Sequence, residues 1–368
     1  MRILHTEWSD GWGGQERRII AEMAGMAQRG HHMVLATRPH ARIAAKAREA
    51  GIEVIELPLS RRTDLGSILR LARYLKRERI DVANTHSGVD SWIGGLAAKL
   101  AGTPVLVRTR HLNLPLKRNL LNFVHYLPDR IITCGEGMRR HLAEGCGFPP
   151  DQLVSIPTGI DFAAFSPRKS RDAVREELRL REGDFVVLMV GIIRGVKRHE
   201  IALKATKQLL AAVPRAQLVL TGEGPMQPDM ERLARELGIA DRVHFLGHRD
   251  DVPDLMAAAD VLLLTSRSEG VPQAVTQALG LGLPVVATDV GGVPELIEHE
   301  RTGLLIPPEN PQAAAEALTR IAQDRDWAAK LGTAGREHVL AHFSLEAMLD
   351  HTERLFVELL EQGNGEYS

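Results

Sequence analysis

Short apolar runs, each followed by an amphipathic stretch of helical period, alternate along the chain, and the series begins afresh near its middle. That alternation constrains the fold more than any other feature. Consecutive parallel strands need a crossover of a dozen or more residues, and a helix supplies it. In the first half the strand runs are residues 2–5, 33–37, 54–57, 81–84, 105–108 and 130–133, with a helix over 15–28 after the first. The second half restarts at 185–190 and continues through 217–220, 243–246, 261–264 and 284–287. Two such series predict two doubly wound α/β domains, residues 1–165 and 166–343. Pro157 and Gly159 mark the linker between them. A last helix over 344–361 has apolar Leu345, Met348, Leu349, Leu355, Phe356, Leu359 and Leu360, and its period assigns it to neither domain.

Composition removes several function classes. Hydrophobic content of 44% and charged content of 25% are ordinary for a globular chain, which excludes disordered and fibrous classes. The start turns polar too early for a signal peptide, and no apolar run reaches the roughly 20 residues of a spanning helix. Two cysteines, Cys134 and Cys146, make no disulfide framework and are expected as inert packing residues of a cytoplasmic chain. Residues 1–165 hold 23 Lys and Arg against 16 Asp and Glu, whereas the remainder holds 23 against 31. The basic half is therefore expected to meet anionic lipid at the inner membrane face, or a phosphorylated acceptor. Arg70, Arg73, Lys76, Arg77 and Arg79 form one basic stretch, and Arg108, Arg110, Lys117 and Arg118 surround His111. Leu112, Leu114, Leu116, Leu120 and Leu121 add an apolar rim for a lipid-linked acceptor. Nucleic acid is not expected, since aromatics make up 4% and do not interleave with the basic residues.

Three loops at strand ends suit a nucleotide diphosphate. Gly11, Gly13 and Gly14 follow the first strand and let backbone N–H groups approach an anion at a helix start. A dinucleotide fingerprint needs a third glycine where Glu16 stands, and a tight turn without ligand is the other reading. After the first strand of the second half come Gly191, Arg194 and Lys197, the two cations being placed to neutralise phosphate. Arg198 and His199 read as solvated neighbours. The third loop carries Glu269, Gly270, Val271 and Pro272, with Pro272 opening a helix on which Gln273 and Gln277 share a face. Ala274, Val275 and Ala278 face the sheet. The Glu269 carboxylate can accept strong hydrogen bonds from sugar hydroxyls, although a cap-and-turn reading of this loop is also open.

The run from Ser268 to Pro272, then Gly282, Pro284, Asp289, Gly291, Gly292, Pro294 and Glu295, resembles the family 4 retaining glycosyltransferases. Gly222, Gly224, Pro225, Gly247, Asp260 and Gly303 add weaker matches in order, so the resemblance covers essentially the whole chain. It implies the GT-B fold, two facing doubly wound Rossmann-like domains with a cleft between them, and a final helix that packs back on the first domain. It also implies metal-independent transfer, with retention, from a nucleotide-diphosphate sugar to an acceptor hydroxyl in polysaccharide, lipopolysaccharide or glycolipid assembly. No cofactor is expected, and a UDP-sugar is favoured over a GDP-sugar. The acceptor would be a sugar or a lipid-linked or phosphorylated group.

Carried over by motif, Gly13 and Gly14 meet the donor phosphate, and Lys197 with Arg194 binds the diphosphate. Glu269 holds the donor sugar beside Gly270, Val271 and Pro272, and His111 is the active-site histidine. Gly222, Gly247, His248 and Arg249 line the nucleotide. Gln277 stands where the family has a second glutamate for the ribose. Ile192 occupies the position where the family's arginine often follows the strand glycine, and Thr158 replaces a linker asparagine. Asp324 and Asp326 spell a metal-binding DxD, but within a polar helical segment that reads as a solvated face. The alternatives are a catalytically silent nucleotide-sugar-binding subunit, suggested by Gln277, and a nucleotide-sugar epimerase.

Overall fold

A computed structural model describes residues 1–111, 116 and 120–365. The chain divides into two compact units, residues 1–159 with 345–368, and residues 160–344. Residues 160–165 thus lie with the second unit rather than the first. Ile160 N–H donates to Phe343 O at 2.9 Å, and the Phe162 ring fills the space above Gly280.

The first unit holds strands β1 (Arg2–Glu7), β2 (His32–Thr37), β3 (Glu53–Glu56), β4 (Val82–Thr85), β5 (Val105–Arg110), β6 (Arg130–Thr133) and β7 (Leu153–Ser155). They form one parallel sheet in the order β3-β2-β1-β4-β5-β6-β7. The second unit holds β8 (Phe185–Val190), β9 (Ala216–Thr221), β10 (Val243–Phe245), β11 (Val261–Leu264), β12 (Val285–Thr288) and β13 (Leu304–Ile306). Their order is β10-β9-β8-β11-β12-β13, again parallel. Both sheets are doubly wound. β7 and β13 are additions to the strands read from apolar runs. Each spans three residues at a sheet edge.

Both faces of the central strands are covered, which is why they read as continuous apolar runs rather than alternating ones. Phe185, Val187 and Met189 of β8 pack with Leu203, Leu209 and Leu318 on one side. Val186 and Leu188 pack with Leu255, Val275 and Leu279 on the other, as the period of two requires. In the first unit Ile3 and Leu35 face one layer while Leu4 and Val34 face the opposite one.

The closing helix Leu345–Gly365 belongs to the first unit. Its buried Met348, Leu349 and Phe356 join Ile19, Met23 and Met26 of the helix Gly14–Gln28 in a single core cluster. Arg29 ties the pair at its edge, reaching Glu346 and Asp350 at 2.7 Å and Glu353 at 2.8 Å. This helix changes the charge picture. Counted by unit, the first holds 24 Lys and Arg against 21 Asp and Glu, and the second 22 against 26. The asymmetry of the half-chains is largely cancelled by an acidic helix arriving from the far end of the sequence. No helix among the described residues is long and apolar enough to cross a membrane.

Gly25 is the point of closest approach, since a Cβ there would lie 2.4 Å from Leu349 Cδ1. Leu349→Ala should cost about 2–5 kcal/mol by opening a cavity. Gly25→Ala adds helix propensity of up to ~1 kcal/mol but meets overpacking of about 1–3 kcal/mol. In the Leu349→Ala background the overlap is gone, so the same glycine change should become favourable. Urea denaturation of both single variants and the double variant reads the coupling, and strict additivity would refute this packing account.

Candidate active site

Each sheet reverses its strand order at one place, between β1 and β4 in the first unit and between β8 and β11 in the second. Loops leaving adjacent strand ends there run to opposite faces, and the crevice they leave is where open parallel sheets bind ligands. The glycine loop follows β1, Lys197 follows β8, and Glu269 follows β11. His111 stands one strand further along the first sheet, just past β5.

In the second unit the two charged groups meet directly. Lys197 Nζ donates to Glu269 Oε1 at 2.7 Å, with side chains only 16% and 11% exposed. Ser266 Oγ donates to the same carboxylate oxygen. The loops beneath are fastened together as well. Thr265 Oγ1 bonds the carbonyls of Lys197 at 3.1 Å and Arg198 at 2.9 Å, and Arg267 N–H donates to Val196 O at 2.9 Å. Two motif glycines explain the close backbone packing. At Gly291, with φ of +56°, a Cβ would lie 1.8 Å from Glu269 O. At Gly222, with φ of +127°, it would lie 2.2 Å from Gly191 O. Any side chain at either place would push the Lys197 or Glu269 loop away.

The remaining expected residues are placed as follows. Arg194 is exposed, and its carbonyl accepts Lys197 N–H at 2.9 Å. Gly270 is exposed, Val271 half-buried, and Pro272 caps the helix Gln273–Gly280. Val275 and Ala278 of that helix are buried, while Ala274, Gln273 and Gln277 are half-buried. Gly247 O accepts Gly222 N–H at 2.8 Å, and His248 is exposed beside Asp250. Arg249 is held by Asp251 of its own loop and by Glu177 of the helix Arg171–Glu177, so its guanidinium ties that loop to the helix. The solvated reading of His199 is corrected. It is 2% exposed, and burial, with Lys197 nearby, pushes its pKa down to about 4. Arg198 is engaged by Glu309 and Glu200. Asp324 of the DxD is a helix cap, accepting Trp327 N–H at 2.9 Å.

In the first unit, Gly13 N–H is taken by Glu16 Oε2 at 2.7 Å in a capping box, so Gly14 and the first-turn amides are the donors left for an anion. His111 is the end of a line of rings. Its Nε2 lies 3.0 Å from His86 Nδ1, and His86 Nε2 lies 2.9 Å from His5 Nδ1. On its other side His111 Nδ1 lies 3.6 Å from Cys134 Sγ. Burial raises the Cys134 thiol pKa, in keeping with an unreactive thiol, but the residue does more than pack. Its thiol donates to Arg110 O at 3.1 Å and accepts from Arg18 Nη1 at 3.2 Å. Cys146 does pack, in a cluster with Ile131, Leu142 and Phe148. Burial holds the pKa values of His86 and His111 well below the imidazole range and that of His5 at about 3, with Arg18 adding to the effect.

Beside this line sit two buried carboxyls. Asp90 accepts His86 N–H and Ser87 N–H at 2.8 Å each, and Thr6 Oγ1 at 2.8 Å. Glu7 closes β1 and accepts Ser9 N–H at 2.7 Å. Burial, then the neighbouring Asp90, raises Glu7 to about 8. The basic surface expected around His111 is also corrected. Arg108 and Arg110 are buried, and burial lowers Arg108 to about 9, with His125 against its guanidinium. Leu116 packs against the Cys146 cluster. Leu112, Leu114, Lys117 and Arg118 lie outside the described residues, as do the side chains of Leu120 and Leu121.

The buried polar network was missed from the sequence, yet a signal for it exists. Ile19, Met23 and Met26 set the inward stripe of the helix Gly14–Gln28, and Glu22 falls on that same stripe with Arg18 one turn before it. A charged pair on an apolar face calls for polar partners across the sheet.

Residues 12–164 match the sequence model of "Glycosyltransferase Family 4", and residues 170–338 match that of "Glycosyl transferases group 1". The Escherichia coli UDP-Gal:alpha-D-GlcNAc-diphosphoundecaprenol alpha-1,3-galactosyltransferase is 26% identical over 311 residues, which span 81% of this chain and 80% of that protein. A GDP-mannose-dependent phosphatidylinositol monomannoside mannosyltransferase of Mycobacterium tuberculosis is 28% identical over 327 residues, 82% of each chain. Among solved structures, a Rickettsia africae glycosyltransferase aligns with a TM-score of 0.87 at 20% identity, covering 98% of both chains. Anabaena HepE in complex with UDP aligns at 0.86 and 22%, covering 97% of this chain and all of that one. Matched across both of its units and sharing their fold, the chain belongs to glycosyltransferase family 4 and is a glycosyltransferase of the GT-B fold.

Proposed function

We propose that the protein transfers a sugar from a nucleoside-diphosphate sugar to an acceptor hydroxyl, with retention of configuration and without a catalytic metal. The observation that carries this reading is the Lys197–Glu269 pair at the switch point of the second sheet. As the sugar C1–O bond to phosphate breaks, negative charge grows on the diphosphate. Lys197, with Arg194 and the loop amides, supplies fixed positive charge of the kind a metal ion would otherwise provide. Glu269 both orients Lys197 and accepts hydrogen bonds from hydroxyls of the donor sugar. The acceptor oxygen attacks C1 on the face that the leaving group vacates, and its proton passes to a phosphate oxygen. No protein nucleophile is assigned. Gly14 N–H of the first unit donates to the donor phosphate, His111 is the histidine beside the sugar, and Gln277 is the partner of the ribose. Gly222, Gly247 and the backbone of His248 and Arg249 serve the nucleotide.

UDP is the proposed donor nucleotide, since the E. coli relative is a UDP-Gal-dependent transferase and Anabaena HepE holds UDP, although the mycobacterial relative is GDP-mannose-dependent. The acceptor proposed is lipid-linked or phosphorylated, reached at an anionic membrane surface. The support for this is the helix Leu65–Arg77, whose Arg70, Arg73, Lys76 and Arg77 are exposed on the same side of the unit as Leu65 (69% exposed) and Leu69 (48%).

A thermal-shift screen with UDP, GDP and ADP identifies the nucleotide, since a ligand at 100 times its Kd stabilises by about 2.7 kcal/mol. With the sugar donor so chosen, Lys197→Ala should lower kcat by on the order of 10²–10³. Near-normal turnover at saturating donor would sink the assignment. Gln277→Glu should tighten donor binding by about 1 kcal/mol, because charge-assisted bonds are roughly twice as strong as neutral ones. The change should lower donor KM several-fold and spare kcat; an inert parent protein activated by this change would instead favour the silent-subunit reading. Cosedimentation with liposomes should require anionic lipid and fall when Arg70, Arg73 and Lys76 are replaced by Gln. Equal recovery on neutral vesicles would count against the membrane contact.

A further inference from the structure

Three imidazoles in the first unit are joined nitrogen to nitrogen, at 3.0 Å between His111 and His86 and 2.9 Å between His86 and His5. Their rings lie partly stacked, with centroids 5.2 and 5.0 Å apart. A neutral imidazole carries one N–H and one bare nitrogen. Each contact along the line needs one hydrogen, neither two nor none. The three rings therefore cannot choose their tautomers independently. Either every proton sits on Nε2 or every proton sits on Nδ1.

The far end of the line is a charge. His5 Nε2 faces Glu22 Oε1 at 3.8 Å, and Arg18 Nε faces Glu22 Oε2 at 3.8 Å. Both side chains of the ion pair are 1% exposed. Arg18 is a permanent cation, and a buried cation needs an anion beside it. Burial raises the Glu22 pKa and Arg18 opposes that rise; as the carboxylate within ion-pair distance of Arg18 among the described residues, Glu22 is its counter-anion. An ionised Glu22 favours a proton on His5 Nε2. His5 Nδ1 is then bare and accepts from His86 Nε2, and His86 Nδ1 in turn accepts from His111 Nε2. At the near end the Cys134 thiol gives its hydrogen to Arg110 O, so its sulfur is only a weak acceptor 3.6 Å from His111 Nδ1, and the full charge at the far end outweighs it.

We propose that His86, His5 and Glu22 are positioning residues that fix His111 as the neutral tautomer with its proton on Nε2 and Nδ1 bare. This rests on the reading of His111 as the histidine beside the donor sugar. Held so, His111 can accept a hydrogen bond from a hydroxyl but cannot act as a cation towards the diphosphate, which leaves that charge to Lys197 and Arg194. None of the three reaches substrate in this account. They act through His111 alone.

Long-range ¹H–¹⁵N correlation spectra of the full-length protein, labelled at histidine, report which ring nitrogen of His111 carries the proton. The expected wild-type state is protonated Nε2. In Glu22→Gln the amide N–H₂ turns to His5 and its oxygen to Arg18, so the whole line should reverse and the His111 proton should move to Nδ1. Glu22→Asp keeps the anion and should keep the wild-type pattern. An unchanged His111 tautomer in Glu22→Gln, or the same change in both variants, would overturn the proposal. Should Glu22→Gln fail to fold, His5→Leu serves. His5 makes no hydrogen bond to His111, so a loss of the single tautomer there requires the line, and an unaltered His111 spectrum overturns it. Kinetics separate this proposal from the reading beneath it. If the tautomer reverses and kcat drops at least about tenfold with donor KM unchanged, both stand. If the tautomer reverses while kcat holds, the line is real and the catalytic placing of His111 is wrong.

Discussion

The glycine loop, His111, Lys197 and Glu269 all lie beyond the C-terminal ends of parallel strands, and that placement follows from one constraint. A parallel strand pair forces the chain to return along a helix, so all strand ends of one sense collect at a single sheet edge. Where the winding changes direction, two neighbouring loops part and leave room for a ligand. The rest of each unit, its two apolar layers and its returning helices, holds that edge in place. Lys197 and Glu269 come from loops 72 residues apart in sequence, yet they meet because β8 and β11 are sheet neighbours.

The two units meet this constraint with different chemistry. In the second, backbone is pressed against backbone. Gly222 on Gly191 and Gly291 on Glu269 leave no space for a Cβ, and the resulting loops present amides and a salt bridge at their rims. In the first, side chains fill the same region below the surface. His5, Glu7, Glu22, His86, Asp90 and Arg18 are all buried there, several at zero exposure. Burying such groups costs several kcal/mol for each unpaired charge, and only mutual hydrogen bonds and ion pairs offset it. A stability-driven core would place leucine at these positions. The proposed hold on the His111 tautomer gives these costly groups a use.

The closing helix adds a second lesson about charge. Read along the chain, the first 165 residues look strongly basic. In three dimensions the acidic Leu345–Gly365 helix lies on that unit and surrounds Arg29 with three carboxylates, while Arg108 and Arg110 sit inside. The basic character left for a partner is local, on the exposed side of the helix Leu65–Arg77. Steering of an anionic partner depends on such local fields more than on net charge, because exposed charges are screened beyond about 10 Å.

The sequence by itself determined the layered α/β architecture, the strand-end position of Lys197, Glu269 and the glycine loops, and the family. Those are local facts. Apolar runs of strand length, a proline at a helix start and glycines at fixed offsets each act within a few residues, and they survive in one dimension. Only the tertiary structure decided which side chains face each other across the sheet. Nothing in the order of residues joins His5 to His86 or His111, or Arg18 to Cys134, since these contacts depend on β1, β4, β5 and β6 lying side by side with a shared register. The edge strands β7 and β13 were likewise settled by pairing, since each gains its hydrogen bonds from a neighbour already in place.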